Sequence, residues 1–209
     1  MIDFTWIFIL KNKYGENEPI SFQEICKELG DYTRESTYRV IREAIRDGKL
    51  ARYDSGIYYI PTYGELGMSA LGARKVFRKK YITDGKNYYG FYTGNTALNI
   101  FGLSTQVPNT VEIMTNNESS RGRIVKIKSG KAYVKKPRIN ITNDNYKQLM
   151  LLETFNLVEP EKQTKEFVEN IIKYMKENNL TPKDLLVFTD VMPARAIKKF
   201  LSSKVMQAF

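Results

Sequence analysis

Three arginines, Arg39, Arg42 and Arg46, recur at intervals of three and four residues within RESTYRVIREAIRD. An arginine fork matches the O6/N7 edge of guanine, or two oxygens of one phosphate. On a helix each residue advances about 100°, so this spacing gathers the three guanidinium groups within about 60° of one another. Arg34, Ser36 and Tyr38 stand at the start of the same run, where a recognition helix meets base edges or phosphates. Lys49, Arg52 and Ser55 follow it. Together these nine residues are the candidate DNA-binding set. The plainer reading is a solvated helix face laced by Glu35–Arg39 and Glu43–Arg46 pairs. Tyr38 reads equally well as core or surface.

A second cationic stretch, RGRIVKIKSGKAYVKKPR, spans 121–138. It holds Arg121, Arg123, Lys126, Lys128, Lys131, Lys135, Lys136 and Arg138, and no acid. Arg74, Arg78 and Lys79, with Lys75 and Lys80, crowd an earlier helix. A field of one sign attracts a polyanion or an acidic partner. Lysines on an edge hairpin also serve to block sheet-to-sheet pairing. The formal net charge is +10, unevenly spread. Residues 1–62 carry 9 Lys+Arg against 10 Asp+Glu, residues 63–160 carry 15 against 7, and residues 161–209 carry 9 against 6. The basic excess therefore lies mostly outside the segment with the recognition-helix pattern.

Other chemistries find little support. The chain has no histidine and one cysteine, Cys26, which excludes the usual zinc sites, histidine acid–base catalysis and an internal disulfide. A single cysteine fits a reducing cytoplasm. No Glu-x-Lys occurs, as a restriction-type nuclease would need, and no Asp-x-Asp, as a nucleotidyltransferase would need. Gly90–Asn95 lacks the Gly-Lys-Ser/Thr of a phosphate loop and reads as a turn and cap. No enzyme, cofactor or metal site is expected. Nor is a membrane partner, because no stretch approaches the roughly 20 apolar residues of a span.

The elements that must position these residues are legible in outline. Residues 4–14 predict a first helix ended by Gly15. Ser21-Phe22-Gln23-Glu24 is a capping box opening a short helix to Leu29, with Phe22, Ile25, Cys26 and Leu29 as its apolar stripe and Gly30 as its stop. Thr33 caps a helix over 34–47, with Thr37, Tyr38, Val40, Ile41, Ala44 and Ile45 covering one side. Residues 50–53 and 57–60 predict a hairpin turning at Asp54-Ser55-Gly56, in which one of Tyr58 and Tyr59 packs and the other is exposed. Pro61 to Gly67 reads as a linker, and Ser69 as the cap of the basic helix 70–80. Strands follow at 88–93, 110–115, 123–128 and 131–136, with a short helix from Asn95 to Phe101. Helices at 144–157, 165–178 and 182–190 precede a final amphipathic helix carrying Ile197, Phe200, Leu201 and Val205 on one side. Trp6 and Cys26 are expected in the core.

Two stretches resemble a known family. GKLARYDSGIYYIP (48–61) and GFYTGNTALNIFGLSTQVPNTVEIMTN (90–116) look like the AbiEi-type antitoxins of abortive-infection, type IV toxin–antitoxin systems. The second is the more specific, in Gly94, Ala97, Leu98, Gly102-Leu103, Thr105-Gln106-Val107-Pro108 and Thr115-Asn116. The resemblance implies a repressor of its own operon that counteracts a co-encoded nucleotidyltransferase toxin, with DNA binding in the N-terminal domain and antitoxicity in the C-terminal one. The expectation is thus an α+β protein. An N-terminal winged helix-turn-helix at 1–62 binds double-stranded promoter DNA, and a mixed α/β domain with C-terminal helices occupies 65–209. The alternatives are a plain regulator whose second domain senses a ligand or dimerises, and an RNA-binding protein using the 121–138 ridge.

Overall fold

The computed structural model describes residues 5–105 and 108–209. Phe4, expected to open the first helix, and Gln106 and Val107 of the family-like stretch lie outside the described residues. The protein is of mixed α+β class. Its contacts divide it into two compact units, 1–76 with 127–129 and 77–126 with 130–209. The boundary expected at 62–65 falls inside the first unit.

In that unit α1 (Thr5–Tyr14), α2 (Phe22–Leu29) and α3 (Arg34–Arg46) close over a cluster that includes Trp6, Leu10, Ile25, Val40, Ile41 and Tyr58. The capping box forms as expected. Glu24 N–H donates to Ser21 Oγ at 3.3 Å, and Ser21 N–H donates to the Glu24 carboxylate at 2.8 Å. Thr33 Oγ1 likewise accepts from Ser36 N–H at 3.2 Å to start α3. Cys26 is half-buried rather than core.

β2 (Ala51–Asp54) and β3 (Ile57–Tyr59) make the expected hairpin, and β1 (Ile20–Ser21) pairs antiparallel with the other edge of β3. Tyr58 and Tyr59 are both buried, against the expectation of one exposed. Neighbouring side chains on a strand point to opposite faces, so both faces of this sheet are covered. Tyr58 joins the three-helix cluster. Tyr59 joins a second cluster with Ala51, Tyr53, Leu71 and Val76, against which Ile127 packs. The supposed linker is ordered, with β4 (Tyr63–Gly64) pairing with β5 (Gly67–Met68). Ser69 ties this hairpin down, accepting from Thr62 N–H at 3.0 Å while its carbonyl accepts from the Tyr59 hydroxyl at 2.9 Å. It caps no helix, and the basic helix α4 starts later, at Ala73–Tyr81.

The second unit holds a four-stranded sheet of β6 (Gly90–Tyr92), β7 (Thr110–Thr115), β8 (Arg123–Ile127) and β9 (Gly130–Lys135), in the order β6-β7-β9-β8. β6 runs antiparallel to β7, and β7 runs parallel to β9 with Thr110 opposite Lys131. α5 (Gly94–Ile100), α6 (Tyr146–Leu157), α7 (Lys165–Glu177), α8 (Pro182–Leu186) and α9 (Ala194–Leu201) complete it. Every residue of α6 from Leu149 to Asn156 is buried, because α5, β6, α8 and α9 all pack on it. α8 stops at Leu186, short of the expected 190. Leu201 is exposed, whereas Ile197, Phe200 and Val205 are buried, the last from a 3-10 turn beyond α9. No helix among the described residues is long and apolar enough to cross a membrane.

Gly90 has no room for a side chain. A Cβ there would collide with the Tyr81 carbonyl oxygen and lie 2.8 Å from that of Met114. Gly90→Ala is expected to cost about 3 kcal/mol or more, the upper end for overpacking. Urea unfolding measures it, and a wild-type midpoint would show that β6 can shift without loss.

Candidate nucleic-acid interface

α3 is amphipathic in the sense the sequence demands. Thr37, Val40, Ile41 and Ala44 are buried, and Arg39, Arg42 and Arg46 are exposed. No carboxylate among the described residues lies within ion-pair distance of Arg39 or Arg42. The Glu35–Arg39 and Glu43–Arg46 pairs of the plainer reading do not form. Arg46 Nε pairs instead with Asp47 Oδ1 at 3.2 Å, and one Glu43 oxygen is buried without a partner.

The start of α3 carries a feature the sequence did not announce. Phe22, at the first position of α2, stacks on Tyr38 with ring centroids 4.5 Å apart and planes 18° from parallel. The Arg34 guanidinium lies 5.9 Å from each centroid. A hydrogen bond to Tyr38 chiefly raises the Arg34 pKa above its ordinary value. Tyr38, 40% exposed, is therefore a surface residue, and Phe22 packs against the three-helix core while its ring also serves Tyr38 as a platform. The cation lies within cation–π distance of both rings. Ser36 is half-buried and bonded to Thr33.

On the hairpin, Arg52 is exposed and stands opposite Tyr58 in the register, with Nε donating to the Asp54 carbonyl at 3.4 Å. Ser55 is exposed at the turn, its N–H held by Asp54 Oδ1 at 2.7 Å. Lys49 is exposed between α3 and β2. On α4, Arg74 and Arg78 are exposed and Lys79 half-buried, while Lys75 pairs with Glu18 at 2.5 Å.

The 121–138 stretch is less uniformly cationic than its sequence. Arg123 pairs with Glu118 at 2.7 Å, Lys135 with Glu112 at 3.7 Å and Arg138 with Glu153 at 3.9 Å. All three acids come from outside the run. Arg121, Lys126, Lys128, Lys131 and Lys136 have no carboxylate within ion-pair distance among the described residues. Lys126 on β8 and Lys128 in the turn after it are exposed, and Lys131 on β9 is half-buried.

The family-like stretch has physical reasons for several of its residues. Gly94 lies at positive φ, and the Glu112 carboxylate fills the space a Cβ would take. That carboxylate accepts from Asn95 N–H at 2.9 Å, at the N-terminus of α5. Gly102, also at positive φ, ends the helix, and Ala97 is wholly buried. The Asn116 side chain bonds both the carbonyl and the N–H of Ile141, at 2.8 and 2.9 Å.

No family model matches the chain, and no curated protein matches it. Among solved structures it is similar to the crystal structure of the RV2827C protein from Mycobacterium tuberculosis. That likeness has a TM-score of 0.48 at 12% identity, covering 98% of this chain and 77% of the other.

The Glu118 side chain is 4% exposed and its pKa is lowered, chiefly by the Ser120 N–H, then by the Ser120 hydroxyl and by Arg123. A carboxylate with a depressed folded pKa contributes stability above its unfolded pKa and loses it as pH falls through the folded value. Urea midpoints should therefore fall on acidification, and Glu118→Gln should flatten that acid limb. Parallel acid limbs in both proteins would show that Glu118 contributes nothing to it.

Proposed function

We propose that the protein binds double-stranded DNA through a winged helix-turn-helix. In this reading α2 and α3 form the helix-turn-helix, α3 is the recognition helix, and the β2–β3 hairpin is the wing. It represses its own promoter and counteracts a co-encoded nucleotidyltransferase toxin by binding rather than by chemistry, in the cytoplasm. The observation that carries the DNA-binding part is the face of α3. Exposed Arg39 and Arg42 have no acidic partner among the described residues, Arg34 lies beside the aromatic pair at the helix start, and the hairpin adds Arg52. A helix face that presents guanidinium groups without acidic partners attracts an anionic surface. The antitoxin part rests on the resemblance of 48–61 and 90–116 to AbiEi-type antitoxins.

The triple substitution Arg39→Ala/Arg42→Ala/Arg46→Ala is expected to weaken binding to the DNA upstream of the gene. Each arginine should account for about 1–3 kcal/mol where it reads a base, or for about one unit of the log–log salt slope where it grips a phosphate. The Tm should be unchanged because all three side chains are exposed. Anisotropy titrations over a salt series measure both quantities. Wild-type binding by the triple variant would overturn the DNA-binding reading.

Antitoxicity is tested in full-length protein expressed from a foreign promoter beside the toxin, which removes autoregulation. The triple arginine variant should still rescue growth. Charge reversal at Arg121, Lys126, Lys131 and Lys136 should abolish rescue at equal protein level. The opposite pattern would place antitoxicity in the proposed winged domain.

A further inference from the structure

The proposed wing has too little charge of its own. Residues 1–62 are net negative, and the hairpin's single cation is Arg52. Yet the turn at 127–129, more than seventy residues away in sequence, belongs to the same compact unit. Two contacts bind it there. The Tyr53 and Ser129 hydroxyls are hydrogen-bonded at 2.6 Å. Ile127 packs on the cluster of Ala51, Tyr53, Tyr59, Leu71 and Val76. Between Ile127 and Ser129 stands Lys128, exposed and without an ion-pair partner among the described residues.

The faces are the decisive point. Arg52 stands opposite Tyr58, on the side of the sheet that meets the helices. Tyr53, the next residue, points to the other side, and the 127–129 turn is attached there. The hairpin therefore carries one cation on each flank, Arg52 on one and Lys128 on the other. A minor groove is about 6 Å wide and has a phosphate backbone along each wall. An element entering it has a line of negative charge on both sides.

We propose that the 127–129 turn is a second wing, whose Lys128 contacts a DNA phosphate across the groove from Arg52. This rests on the DNA-binding reading above and extends its surface to a distant segment of the chain. Tyr53 is a positioning residue. Its hydroxyl fixes the turn, and its ring fills the space between turn and sheet. The interface is then complete only when the chain has folded as far as β9, and the turn adds one cation to a net-negative N-terminal segment.

The test uses the full-length protein and a mixed-sequence duplex, titrated by anisotropy over a salt series. Lys128→Ala should lower the log–log salt slope by about one, the signature of a single lost phosphate contact. Lys128→Glu should weaken binding further, and Lys128→Arg should bind like wild type. Tyr53→Phe should fall between wild type and Lys128→Ala. Lys128 is exposed, so the Tm should stay constant across its three variants. Wild-type affinity and slope for Lys128→Ala and Lys128→Glu, with the arginine triple variant weakened, would overturn the second wing and leave the DNA-binding reading standing. Loss of binding in Lys128→Arg as well would also overturn it, because charge would not be the cause. If the arginine triple variant binds as wild type, the parent reading fails, whatever Lys128 does.

Discussion

The β2–β3 hairpin is buried on both faces, and much of the first unit follows from that constraint. Tyr58 closes the core under α1, α2 and α3. Tyr53 and Tyr59, pointing the other way, need a cover of their own, and they obtain it from Leu71, Val76 and Ile127. Removing apolar surface from water contributes about 25 cal/mol per Å2, so a large aromatic left bare is a substantial loss. The chain meets this need with Leu71, which follows β5, with Val76 of α4 and with the 127–129 turn. An exposed wing needs none of these additions. A two-faced sheet needs them all, and they draw distant residues into the N-terminal unit.

The two basic surfaces differ in how the fold treats them. Along α3 the acids that helix spacing offers do not pair with Arg39 or Arg42, which have no acidic partner among the described residues. Along 121–138 three of eight cations meet acids from other parts of the chain. Glu118 is the most committed of these, buried and held by backbone N–H, hydroxyl and guanidinium at once. Its role is to shape the turn entering β8. Positive charge in this protein therefore serves two purposes, structural where a buried glutamate demands it and available to a partner elsewhere.

In the second unit one carboxylate organises the family-like stretch. Glu112 on β7 occupies the space left by the missing side chain of Gly94, receives the Asn95 N–H, and faces Lys135 on β9. Strand, helix start and neighbouring strand are joined through it. α6 then fills the centre. Its apolar residues show little one-sidedness, since a helix covered all round has no solvent side to mark.

The sequence alone determined the local devices of this protein. The Ser21–Glu24 box, the Thr33 cap, the glycine stops and the arginine stripe of α3 act between residues a few positions apart, so their types and spacing suffice. The same holds for the hairpin at 54–56 and for most helices. Tertiary structure decided the rest. β1 is too short to show a period, and Tyr59 looks free until Leu71 and Ile127 cover it. Ser69 has the chemistry of a cap but spends it on Thr62. Phe22 packs against the core as its stripe implies, but its stacking on Tyr38 of α3 has no sign in the sequence. Arg123, Lys135 and Arg138 look like members of one cationic run until Glu118, Glu112 and Glu153 arrive from outside it. In each case the deciding partner lies far along the chain or on another element, and no periodicity within a segment encodes a contact with a residue beyond it.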